Sequence, residues 1–129
     1  MPQHLSAITL LVPDYDAGIA FYVGQLGFTL IEDRAMSAAK RWVLVAPPGS
    51  TETRLLLAKA DSPAQIARIG NQTGGRVGFF LTTDDFVRDH AAMLAMGVVF
   101  LEEPRQEPYG TVAVFRDPFG NLWDLIEPT

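Results

Sequence analysis

The sequence predicts an α+β fold made of two tandem βαβββ modules. Two observations carry this. Short strands of alternating apolar residues are each followed by a helix that ends at a glycine, and the order of elements in the first half recurs in the second. A third is consistent with it: 129 residues, 48% hydrophobic and 19% charged, are the size and composition of one globular domain.

The first element is a strand over Ala7–Val12, where Ile8, Leu10 and Val12 alternate on one face. Pro13-Asp14 closes it. Asp14 or Asp16 caps a helix through about Leu26, with Ile19, Tyr22, Val23 and Leu26 as its apolar stripe. Gly27 ends the helix, because glycine tolerates the left-handed conformation found there. Phe28–Glu32 reads as a second strand, Lys40–Ala46 as a third and Arg54–Ala58 as a fourth, with a turn at Pro47-Pro48-Gly49.

The second half repeats the pattern. Val77, Phe79 and Leu81 alternate; Asp84 or Asp85 caps a helix carrying Phe86, His90, Met93 and Leu94; Gly97 ends it. Asp14 to Gly27 spans 27 − 14 = 13 positions and Asp84 to Gly97 spans 97 − 84 = 13. Phe28–Asp33 is then answered by Val98–Glu103, and Trp42–Gly49 by Val112–Gly120. A duplication of this kind fixes an architecture. The modules cover about 5–58 and 76–127, joined by a linker over about 59–75 with a short helix at Ser62–Ile69, and 1–129 is read as a single domain.

Composition narrows the function. There is no cysteine, hence no disulfide, thiolate metal site or thiol nucleophile. The net charge is −5 and no Lys/Arg cluster is longer than Lys40-Arg41, which argues against nucleic acid. No apolar run reaches the length of a membrane span, and Met1–His4 lacks the parts of a signal peptide. The expectation is a cytoplasmic protein with a small-molecule ligand.

Three stretches carry a resemblance. Pro13-Asp14, a helix with Ala20-Phe21-Tyr22, and Gln25-Leu26-Gly27-Phe28 resemble the first half of a vicinal oxygen chelate protein, the superfamily of glyoxalases, bleomycin-resistance proteins and extradiol dioxygenases. Asp117–Leu125 resembles that family's ending, in which an aspartate-proline-x-glycine-asparagine turn precedes the last strand. The resemblance spans about 7–58 and 76–127. It implies a curved mixed sheet wrapped around a cavity, with helices on the convex side, and a homodimer.

Alternation then sorts the residues. Ile8, Leu10, Val12, Val77, Phe79 and Leu81 are expected under the helices, while Thr9, Phe80 and, in the last strand, Leu122, Asp124 and Ile126 face the cavity. Asp124 matches the family's acidic ligand; as an enzyme's base it would be partnered by Arg76 or Arg54. A structural ion pair is its other reading, and an exposed arginine at a strand start is unremarkable for Arg76. Trp42, Arg54, Leu56 and Tyr109 complete the candidate lining, with core packing as the alternative for the two aromatics. His4 reads as a surface group and His90 as a packing residue.

The resemblance also implies a divalent metal held by one residue from the first and last strand of each module. Those positions fall on Ala7, on Arg76, on Arg54, Leu55 or Leu56, and on Asp124. Only the aspartate is a ligand, so no metal and no other cofactor is expected. Two functions compete: a binding protein for a small oxygenated or anionic molecule, and a glyoxalase-like lyase, isomerase or dioxygenase.

Overall fold

The computed structural model describes Pro2–Thr129. The chain divides into two compact units, residues 1–69 and 70–129, each with one mixed sheet.

In the first unit β1 (Ala7–Val12) leads to α1 (Tyr15–Ile19), which runs on as a π-helical stretch over Ala20–Gln25. Asp14 caps α1: its carboxylate accepts from the amides of Asp16 at 2.8 Å and Ala17 at 3.2 Å. The π stretch is closed by the Leu26 amide donating to the Phe21 carbonyl at 2.8 Å, five residues back. This wider turn brings Phe21 and Tyr22 to the buried side together, their rings edge to face at 4.9 Å. The regular stripe of Ile19, Tyr22, Val23 and Leu26 therefore gives way to Gly18, Phe21, Tyr22 and Leu26. Gly18 is needed because a Cβ there would lie 3.1 Å from both Leu57 and Val12.

Then come β2 (Thr29–Ala35), β3 (Arg41–Ala46), β4 (Arg54–Lys59) and the short α2 (Pro63–Ile66). The sheet order is β1-β4-β3-β2, with β1 parallel to β4 and the rest antiparallel. Leu10, Val12, Val43, Val45 and Leu57 are fully buried on the helix side. Ile8, expected under the helix, lies at the far end of β1 from Gly18 and is 46% exposed.

The second unit contains β5 (Phe79–Thr82), α3 (Phe86–Ala95), β6 (Val99–Phe100), β7 (Arg105–Glu107), β8 (Gly110–Arg116) and β9 (Leu122–Pro128). Its order is β5-β9-β8-β6, and β7 also pairs with β8. The strand expected over Val98–Glu103 is cut to Val99–Phe100, residues 101–104 loop out, and β7 follows beyond the expected range. On the helix side an aromatic ladder runs Phe79–Trp123–Phe115–Phe100–His90–Phe86, with centroid separations of 4.5–5.7 Å. His90 is one rung of it.

The structure resets the register between the modules. Asp85, not Asp84, is the N-cap of α3, so the caps are 85 − 14 = 71 apart while the closing glycines remain 97 − 27 = 70 apart. The π turn absorbs the extra residue of the first module. Leu10 therefore corresponds to Leu81 and Ala7 to Gly78. Val77 lies outside the strand, which begins two residues later than the alternation suggests. Leu10 pairs with Leu57 and Leu81 with Leu125, so the counterpart of Asp124 is Leu56.

Candidate functional site on the open sheet faces

Each sheet has one face under its helix and one open face. On the first sheet, register places Ala7 beside Arg54, Thr9 beside Leu56, and Leu56 beside Leu44. Alternation adds Trp42. The predicted residues Thr9, Trp42, Arg54 and Leu56 thus share one face, and all but Thr9 are half-buried. Arg54 Nε is buried with no acceptor.

On the second sheet Phe80, Asp124 and Val114 form one row across β5, β9 and β8. Trp123 and Leu125 turn to the buried side, while Leu122, Asp124 and Ile126 face the other way, half-buried. Phe80 is 67% exposed, a large apolar ring in the row beside Asp124.

The break between β6 and β7 equips this face with charge. Where the strand leaves the ladder, the Glu102 carboxylate stands in for a backbone acceptor and takes the Val114 amide at 3.0 Å. Arg105 Nε donates to the same carboxylate at 3.0 Å, and its Nη1 to Glu107 at 2.8 Å. Glu102 first, then Tyr109 and Glu107, hold the Arg105 guanidinium firmly protonated. Arg105 is committed to these partners and leaves Asp124 without a hydrogen bond: Asp124 Oδ1 is buried and unpartnered. Burial raises the Asp124 carboxyl above its ordinary value; Arg105 pulls it down and Glu102 pushes it up. The face can therefore offer a carboxyl that accepts a proton readily, next to an exposed ring.

Two predicted residues lie off the strands. Tyr109 is exposed in the turn between β7 and β8, where its side chain joins the Arg105 cluster. Arg76 is exposed in the loop before β5, not on a strand, because β5 starts only at Phe79. Sequence reasoning missed Glu102, Arg105 and Glu107. The proline at 104, which cannot donate to a ladder, was the available signal that the strand breaks there.

A family-type divalent ion does not suit these residues. With the register reset, the four positions are Ala7, Leu56, Gly78 and Asp124, and three of them have no donor atom. One carboxylate does not retain zinc or nickel, which take three or four protein donors.

The family model for the Glyoxalase/Bleomycin resistance protein/Dioxygenase superfamily matches residues 4–125. An uncharacterized protein of Shewanella frigidimarina is 53% identical over 98% of this chain and 95% of its own. Among solved structures, TnmS3, an antibiotic binding protein from Streptomyces sp. CB03234, is 32% identical with a TM-score of 0.79, covering 99% of this chain and 98% of its own. UcmS2 is 30% identical with a TM-score of 0.84, covering 98% of both. Strand pattern, register and these likenesses agree: the chain belongs to the glyoxalase/bleomycin resistance protein/dioxygenase superfamily.

Proposed function

We propose that this protein binds small oxygenated molecules on the open face of each sheet, each face taken by itself, without a family-type metal. One observation carries the reading. Among the described residues two side-chain atoms are buried without a partner, Arg54 Nε and Asp124 Oδ1, and both belong to open faces. A buried polar group left unpaired costs about 1–3 kcal/mol, and a ligand that completes it recovers that cost. Arg54 calls for an acceptor such as a carbonyl or carboxylate oxygen. Asp124 calls for a donor such as a hydroxyl. Oxygen-rich small molecules can supply either kind of group, and an antibiotic-binding relative shares the fold at 32% identity.

The test is Asp124→Leu, followed by thermal unfolding with and without a panel of hydroxylated and carboxylated aromatics. The variant is expected to be more stable than the parent at neutral pH by about 1–3 kcal/mol, and to lose the stabilisation that the ligand gives the parent. The sign with pH follows from the raised carboxyl. The folded state holds that proton more tightly than the unfolded chain, so the penalty is present above the folded value and fades as pH falls through it. The advantage of the leucine therefore shrinks in acid. A variant that is less stable and still binds would overturn the reading. Turnover of a bound compound by metal-free protein would favour a glyoxalase-like lyase or isomerase, with Asp124 as its base.

A homodimer is part of the proposal. Val87, Leu94, Met96, Val99 and Leu101 are exposed around α3 and the edge strand β6, and apolar side chains beside an open strand edge are commonly covered by association. Light scattering is expected to give twice the 14.1 kDa chain mass; a monomer at micromolar concentration would refute it.

A further inference from the structure

We infer that the loop preceding β5 holds a small oxyanion, phosphate or a phosphate monoester, at a site separate from the open sheet faces. The alternation of Val77, Phe79 and Leu81 asks for a strand from Val77, yet the last rung is the Gly78 amide donating to the Leu122 carbonyl at 3.0 Å. Before it the chain turns away. A local sequence pattern that the structure declines to follow is a place to look for function.

At this turn Gly74 and Gly75 both have positive φ, +70° and +101°. The amides of Gly75, Arg76 and Val77 have no hydrogen-bond acceptor among the described residues. Successive free amides in such a turn form a concave anion-binding surface. The loop is braced for it: the Thr73 hydroxyl donates to the Arg76 carbonyl at 2.6 Å. Gly78 leaves no room for a side chain, since a Cβ there would lie 2.8 Å from the Thr73 methyl.

The loop borders a cavity of about 90 Å³, to which Arg76, Thr73, Gly75 and Asn121 contribute. That is room for a single tetrahedral anion and too little for a drug-sized molecule. Arg76 has no carboxylate partner, whereas Arg41, Arg88 and Arg105 each have two. No acidic side chain lines the cavity. Asp117 is held to other partners: its carboxylate is buried and accepts from the Phe119 amide, the Asn121 amide and Asn121 Nδ2. A planar guanidinium beside free amides is the chemistry that grips phosphate oxygens.

The experiment is an amide NMR titration of the full chain with inorganic phosphate at pH 7 and constant ionic strength. Saturable shifts are expected at Gly75, Arg76 and Val77, with chloride producing none. Arg76→Ala should weaken binding about ten-fold or more, the weight of a charged hydrogen bond, and Arg76→Lys should fall between. Because Arg76 is exposed, neither change should move the amides of Phe115, Phe100, His90 and Phe86, rungs of the ladder that do not line the cavity, which checks the fold. Phenyl phosphate in place of phosphate separates the sources: tighter binding assigns the site to a phosphate monoester, equal binding to the free anion. Asp124→Leu should leave the phosphate shifts unchanged, so this site stands or falls apart from the sheet-face reading. Shifts that do not saturate, or that survive Arg76→Ala undiminished, would overturn the inference.

Discussion

Phe115→Ala is expected to destabilise the protein by about 3–5 kcal/mol, the usual cost of emptying a buried phenylalanine site. Phe115 is wholly buried and is an inner rung of the ladder in the second unit. Its ring lies 5.7 Å from Trp123 at an interplanar angle of 18° and 5.5 Å from Phe100 at 53°. Alanine would remove both contacts and leave a void between β8, β9 and α3 that aromatic neighbours are too rigid to fill. Phe115→Leu keeps most of the volume and should cost less than about half as much. Urea unfolding followed by tryptophan fluorescence measures both, because Trp123 reports on the ladder directly. Equal losses for the two variants would show that shape and stacking, rather than buried volume, set the stability there.

A loss of about 3 kcal/mol or more is also expected for Asp117→Ala. Its carboxylate ties the turn before β9: Oδ1 accepts from the Phe119 amide at 3.0 Å and the Asn121 amide at 2.8 Å, and Oδ2 from Asn121 Nδ2 at 2.7 Å. Asp117 and Asn121 are both buried, so alanine strands donors that water does not reach. Asp117→Asn keeps one oxygen for the two amides but sets an NH2 group against Asn121 Nδ2, and should cost an intermediate amount. The damage should also spread to the linker, because Gly70 packs so closely on the Phe119 carbonyl that no side chain fits between them. Hydrogen exchange of residues 70–78 in a partly destabilised variant tests that spread. Unchanged protection there would mean that the turn and the loop open independently.

Most of the architecture was legible in the sequence because it rests on local patterns. Alternation found β1, β3, β4 and β9, and the helix starts were narrowed to Asp14 or Asp16 and to Asp84 or Asp85, with Gly27 and Gly97 at the ends, because the chemistry of caps is local. The face-sharing of Thr9, Arg54 and Leu56, and of Phe80 and Asp124, followed from period-two alternation once the strands were placed. What failed needed knowledge of hydrogen bonds across the fold. A π turn has no composition of its own, so the extra residue of the first helix was assigned to the strands and the second module was read out of register. That error put Arg76 on a strand and hid Gly78. The early end of the expected strand at Phe100 goes with the Glu102 carboxylate taking the Val114 amide, a contact that no periodicity reveals. With it went the Glu102–Arg105–Glu107 cluster beside Asp124.

The π turn has a bearing on how the two halves drifted apart. The segment from cap to closing glycine is 27 − 14 = 13 positions in one module and 97 − 85 = 12 in the other, yet both deliver the chain to the same kind of left-handed glycine, at φ +83° and +87°. In a strand, one added residue would have thrown every later side chain onto the opposite face. In this helix it was swallowed as a bulge. Ala20–Gln25 thus takes up one residue between β1 and β2 without reversing the facing of either strand.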